Sequence, residues 1–161
     1  MVGVCFTSRE ANCMKDEILL IDTNILVYAY TKFDENKHKI CEAIVESAFK
    51  GEKTYAISNQ ILSELFFVLT EKLKSPIPSE DAITIVSGII DSINWIKINY
   101  THETVKKSML LSKICNVSIW DSLIAETSLE NGISKIYTEN TKDFRKIPNL
   151  AAINPIAYSR L

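Results

Sequence analysis

Glycine and proline are scarce, with only four of each in 161 residues. So few chain breakers favour long helices, and they leave no GxGxxG, GxxxxGKS or GxxxxGKT loop to cradle a nucleotide phosphate. Histidine occurs only at His38 and His102, and no two of Cys5, Cys13, Cys41 and Cys115 form a CxxC pair. A Cys/His zinc site is thereby excluded. A chain of this length has no need to staple a small core with disulfides, so its thiols are expected reduced. Long uncharged apolar runs are also missing, which leaves nothing of membrane-spanning length. Val2–Phe6 is too short for a signal-peptide core. The expectation is a soluble, cytoplasmic protein. An excess of positive charge is absent as well. The net charge is −2 and the pI about 5.7, so no general basic coat for nucleic acid exists.

What is present is an apolar content of 47%, enough for one packed domain. Residues 1–17 are weakly patterned and read as an N-terminal extension to a single domain over 18–161. Residues 18–22 form a short apolar run ending at Asp22, the pattern of a central parallel strand covered on both faces. Helices are expected over 24–30 and 37–49, the second with Ile40, Ala43, Ile44 and Ala48 inward. A strand over 55–58 leads into a strongly apolar helix, 59–74, capped by Ser58 and ended by Ser75-Pro76. Then come a helix over 78–92 packing through Ile83, Val86, Ile89 and Ile90, and a strand over 95–98. Helices over 102–112 and 118–131 follow, then a strand over 135–138, a turn or short helix over 141–145 and a last strand over 152–154. Lys106, Lys107 and Lys113 read as a solvated face. This alternation predicts a three-layer α/β/α sandwich around a mostly parallel sheet. Ligands in such folds collect beyond the C-terminal strand ends, where Asp22, Ser58 and Thr138 fall.

Each acidic residue of interest has an ordinary structural explanation. Asp22 is a good N-cap, although a carboxylate straight after a buried strand is costly without donors or a cation. Glu64 lies early in a nearly all-apolar helix. It belongs either to a narrow solvent stripe with Glu71 or to a polar site near the sheet edge. Asp121 completes a capping-box-like Ser118-Ile-Trp-Asp121, and it also shares a face with the small residues Ala125 and Ser128. Asp143 sits in a polar loop with Glu139, Asn140, Lys142 and Arg145, after a strand expected beside the first.

The order of these motifs resembles the PIN domain family, in particular small prokaryotic VapC-like toxin ribonucleases. The family has a strand-ending Asp in a D-T/S-N context, matched by Asp22-Thr23-Asn24. A Glu early in a helix is matched by Glu64 in Ser58-Asn-Gln-Ile-Leu-Ser-Glu64. A D-x-x-I-A helix start is matched by Asp121-Ser-Leu-Ile-Ala125. A T-x-D-x-x-D/H-F segment and a late N-P are matched by Thr138-Glu-Asn-Thr-Lys-Asp-Phe144 and Asn154-Pro155. The resemblance spans about 18–157. It implies an endoribonuclease dependent on Mg²⁺ or Mn²⁺, a homodimer, and a cognate antitoxin that blocks the site. Asp22, Glu64 and Asp121 would be metal ligands and catalytic, with Asp143 beside them. Asn24 and Thr138 would support the ligands or touch phosphate, and Lys142 and Arg145 would hold flanking RNA phosphates. One departure is plain: the family's fourth acid falls on Asn140. An amide offers a carbonyl but no charge, so the fourth ligand stays open between Asn140, Asp143 and Glu139.

Other readings are weaker. A haloacid-dehalogenase-like start needs a second Asp where Asn24 stands, and a receiver domain needs an acidic pair before the strand-end Asp. A PIN-like module that binds RNA or protein without cleaving remains the main alternative, because Asn140 removes charge from the site.

Overall fold

The computed structural model describes residues 17–157; residues 1–16 of the expected extension lie outside that range. Five strands, β1 (Leu19–Ile21), β2 (Tyr55–Ser58), β3 (Trp95–Ile98), β4 (Lys135–Tyr137) and β5 (Ala151–Ile153), form one sheet in the order β3-β2-β1-β4-β5. Every pairing is parallel. Leu20 and Ile21 of the central strand are completely buried, as its unbroken apolar run requires.

Helices α1 (Thr23–Tyr30), α2 (Glu35–Phe49), α3 (Asn59–Phe67) and α4 (Ser79–Asp91) link β1, β2 and β3, while α5 (His102–Cys115), α6 (Ile119–Glu130) and α7 (Thr141–Phe144) belong to the other half. α1 packs on α2 and α3, and α3 on α4; α5 packs on α6, and α6 on α7. The sheet therefore lies between helical layers, as the three-layer sandwich predicts. After β3 the chain crosses to the far side of β1 to form β4. The strand order thus reverses between β1 and β4, where open parallel sheets leave a crevice beyond the strand ends. Asp22 extends the pairing by one residue, its N–H donating to the Tyr137 carbonyl at 3.0 Å.

Three local expectations need correction. The helix over 59–74 is α-helical only to Phe67; Val68–Lys72 continue as a π-helical turn, and Leu73 is extended. That wider turn brings Val68 and Leu73 to the same cleft. In α4 the buried positions are Ala82 and Ile89, with Ile85 and Val86 between them, whereas Ile83 and Ile90 are exposed. The stripe 82, 85, 86, 89 has helical spacing, and the other two isoleucines flank it. In α2 Ala43 is exposed, because the inward stripe runs through Cys41, Val45 and Ala48. Lys106, Lys107 and Lys113 are exposed as expected. Among the described residues no helix is long and apolar enough to cross a membrane, and Cys41 and Cys115 are free thiols.

Candidate metal centre at the sheet switch point

β1 ends in Ile21, and the next residue, Asp22, caps α1. Its Oδ1 accepts the Thr23 N–H at 2.8 Å. Capping uses one lone pair of a carboxylate that has about four. Oδ2 accepts two further hydrogen bonds, from the Thr138 hydroxyl at 2.6 Å and from the Asn24 amide. Asn24 also donates to Thr138 Oγ1 at 3.2 Å and accepts the Glu139 N–H at 3.1 Å. Thr138 Oγ1 accepts the Asn140 N–H at 2.9 Å. The ends of β1 and β4 are thus laced together through Asp22, Asn24 and Thr138. Both expected supporting residues sit here.

Ser58 caps α3 through the Ile61 N–H at 3.2 Å, and Glu64 lies in the second turn of that helix. Its Oε2 accepts the Thr23 hydroxyl at 2.9 Å and its Oε1 the Gln60 amide at 2.7 Å. The choice left open by the sequence is settled in favour of the polar site, since Glu64 lines the cleft. Gln60 also donates to the Trp120 carbonyl at 3.2 Å, tying α3 to the first turn of α6. Ser118 caps α6 through the Asp121 N–H at 3.0 Å, which leaves the half-buried Asp121 side chain facing the same space.

Asp22, Glu64, Asp121 and Asn140 line one cleft of about 490 Å³. Val27, Phe33, Val68 and Leu73 give the same cleft an apolar part. Asp22 is only 6% exposed. Burial pushes its carboxyl up from 3.8 to about 6. The Thr138 and Thr23 hydrogen bonds pull the other way, and the charges of Asp121 and Glu64 raise it further. Asp121 is also raised, by burial first, against a hydrogen bond with Ser118, with Asp143 and Glu64 adding repulsion.

The Asn140 corner is built differently. Glu139 receives the Tyr28 hydroxyl at 2.6 Å and an ion pair from Lys37, whose ammonium also lies 4.5 Å from the Tyr28 ring centroid. Burial works to raise the Glu139 carboxyl, but these two donors outweigh it and hold it below its ordinary value. Asp143 is not part of the cleft lining. It pairs with Lys146 at 2.6 Å, and Lys146, helped by Asn140, holds it low. Lys142 and Arg145 are exposed nearby in sequence. Gln60, Tyr28 and Lys37 had escaped the sequence reading, and Thr23 had entered it only as the middle of the Asp22-Thr23-Asn24 motif. Only Gln60 carried a local signal, standing four residues before Glu64 on one helix face.

Among the described residues, no three His, Cys, Asp or Glu side chains converge tightly enough to hold a metal ion as they stand. The donor chemistry nevertheless fits a hard divalent cation. All candidate ligands are oxygen donors. Asp22 and Glu64 are each fixed by neutral donors that leave lone pairs over. Burial is the main cause of the raised Asp22 value, the nearby Asp121 and Glu64 add to it, and among the described residues no Lys or Arg pairs with Asp22 to offset them.

Residues 19–150 match the model of the PIN domain family. The chain is 26% identical over 137 residues to Ribonuclease VapC2 of Rickettsia felis, covering 85% of this chain and 97% of that protein. The crystal structure of VapBC2 from Rickettsia felis, bound to a DNA fragment from their promoter, superposes with a TM-score of 0.60 at 25% identity, covering 85% of this chain and 98% of that one. A toxin-antitoxin complex from Klebsiella pneumoniae shares the fold, with a TM-score of 0.57 at 20% identity over 85% of this chain and 97% of that one. With its strand-end Asp22, its α3 Glu64 and its α6 Asp121 at one cleft, this chain belongs to the PIN domain family.

Proposed function

We propose that the protein is a metal-dependent endoribonuclease, the toxin of a toxin–antitoxin pair acting in the cytoplasm. The observation that carries this reading is the meeting of Asp22, Glu64 and Asp121, carried by three separate helices, at the strand-order reversal. Asp22, Glu64 and Asp121 would hold Mg²⁺ or Mn²⁺, with the Asn140 carbonyl as a neutral neighbour and Asp143 adding charge beside Asp121. Such an ion supplies charge neutralisation at the phosphate and a more acidic attacking water.

The chain's own residues set the geometry. Thr138 and Asn24 orient Asp22; Thr23 and Gln60 orient Glu64. Asp22 must be ionised to bind a cation, so protons and metal compete for it and metal affinity would fall as the pH is lowered. Lys142 and Arg145, both exposed, would hold the flanking backbone of RNA. The acidic and apolar parts of the cleft suit an antitoxin segment with a basic side chain flanked by apolar ones. A homodimer is part of the same proposal, drawn from the family.

Cleavage-site mapping on total RNA with Mg²⁺ or Mn²⁺ tests the chemistry. The expectation is discrete sites for the parent protein and none for Asp22→Asn. Equal cleavage by both proteins would refute the assignment. The wide spacing of the acids and the neutral Asn140 favour a second reading, a PIN module that binds without turnover. A titration with Mn²⁺ separates the two, because the nuclease reading requires saturable binding that Asp22→Asn abolishes.

A further inference from the structure

We propose that Trp120 and Phe67 form a stacking platform for one unpaired nucleobase of the substrate, immediately beside the acidic cleft. The proposal rests on the ribonuclease reading and adds a surface that holds a base of the substrate. The two tryptophans of the chain are treated in opposite ways. Trp95 is 2% exposed and packs edge-on to Phe49. Trp120 is 62% exposed although it directly precedes a site carboxylate. Phe67, at the end of α3, is 43% exposed. Together with Glu64 these two rings line a separate open cavity of about 340 Å³. Glu64 is the shared wall, since it also lines the metal cleft.

The platform is held in place by the groups that build the site. The Trp120 carbonyl takes the Gln60 amide at 3.2 Å, and Gln60 fixes Glu64. α3 therefore locates Phe67 and Glu64 together, and its link to α6 locates Trp120 against them. The Lys72 ammonium lies 5.4 Å from the Phe67 ring centroid, so a cation accompanies the aromatic faces. Exposed rings with a neighbouring cation are the means by which proteins hold single strands without reading sequence, because every base offers a π-face. A phosphodiester at the carboxylates would place its adjoining base at this wall. Bases inside a duplex are already stacked, so only an unpaired one can enter.

Trp120 is also its own reporter, since the buried Trp95 supplies a constant background. The test is a fluorescence titration of the full chain in Ca²⁺ with a short single-stranded oligouridine, checked on a gel for integrity. An abasic strand and an RNA duplex serve as comparisons. The single strand is expected to change Trp120 emission and shield it from acrylamide, while the abasic strand and the duplex leave it accessible. Trp120→Ala and Phe67→Ala should each weaken single-strand binding about tenfold, with Trp120→Phe retaining most of it. In cleavage assays Trp120→Ala should raise KM and leave kcat nearly unchanged. Unchanged binding by Trp120→Ala, or equal effects of the abasic strand, would overturn the platform. So would emission that depends on protein concentration without RNA, which would make this face a contact between copies of the chain. Failure of the parent to cleave any RNA would remove the nuclease reading alone, since the titration reads binding and still decides the platform.

Discussion

The two sides of the cleft handle carboxylates in opposite ways. On the Asp22 side, acids are held by neutral donors: Thr23, Asn24 and Thr138 for Asp22, Thr23 and Gln60 for Glu64. Among the described residues no Lys or Arg pairs with them, and burial lifts Asp22 to about 6. On the Asn140 side, each neighbouring acid has a lysine, Lys37 for Glu139 and Lys146 for Asp143, and both carboxyls lie low. A protein that wanted only stability would give Asp22 a cation of its own. Among the described residues no Lys or Arg pairs with Asp22, which costs folding energy and, on the proposed reading, would leave a place for an external ion, whereas the paired acids fasten the loop after β4.

Substitutions that break this contrast should have the largest effects. Asp22→Asn or Glu64→Gln is expected to lower metal-dependent RNA cleavage by more than about a hundredfold, beyond the usual loss on removing a supporting group. Initial rates on a defined RNA check this. Thr138→Val and Gln60→Leu leave the carboxylates but remove their orientation, and should lower Mn²⁺ affinity by roughly 10- to 100-fold, read by calorimetry.

The contrast also predicts an unusual pH profile for the metal-free fold. The Asp22 carboxyl has a folded value of about 6 against an ordinary 3.8, so the folded state binds its proton more tightly than the unfolded chain. This group therefore opposes folding fully above about pH 6, and the metal-free protein gains stability as the pH falls from there towards 3.8. The gain is on the order of 3 kcal/mol, measured by urea unfolding in EDTA, and it should vanish in Asp22→Asn. The smallest effect belongs to the paired side. Lys37→Met removes a partly exposed pair and should cost about 0.5–1 kcal/mol in the same unfolding assay.

Much of this architecture was legible in the sequence, and what was not has definite reasons. The run before Asp22 marks a buried strand because both of its faces are covered, and the strand over 95–98 matches β3 residue for residue. The cleft acids were legible because each stands at or soon after a recognisable helix cap: Asp22 is the cap of α1, and Glu64 and Asp121 follow Ser58 and Ser118. The π-helical turn at Val68–Lys72 had no signal, since its apolar pattern continues and no glycine or proline interrupts it. The outward Ile83 and Ile90 misled because burial depends on which neighbour a flank meets, which periodicity alone does not tell. The neutralised Glu139 was hidden for a different reason. Its partner Lys37 lies on α2, far earlier in the chain, and only the tertiary fold brings the two together. The exposure of Trp120 is likewise a tertiary property.

The most direct test of the central contrast is calorimetric titration of Mn²⁺ into the parent, Asp22→Asn and Asp143→Asn proteins. If unpaired acids hold the ion and lysine-paired acids do not, Asp22→Asn abolishes saturable binding and Asp143→Asn weakens it only a few-fold. Loss of binding in Asp143→Asn with retention in Asp22→Asn would contradict the account.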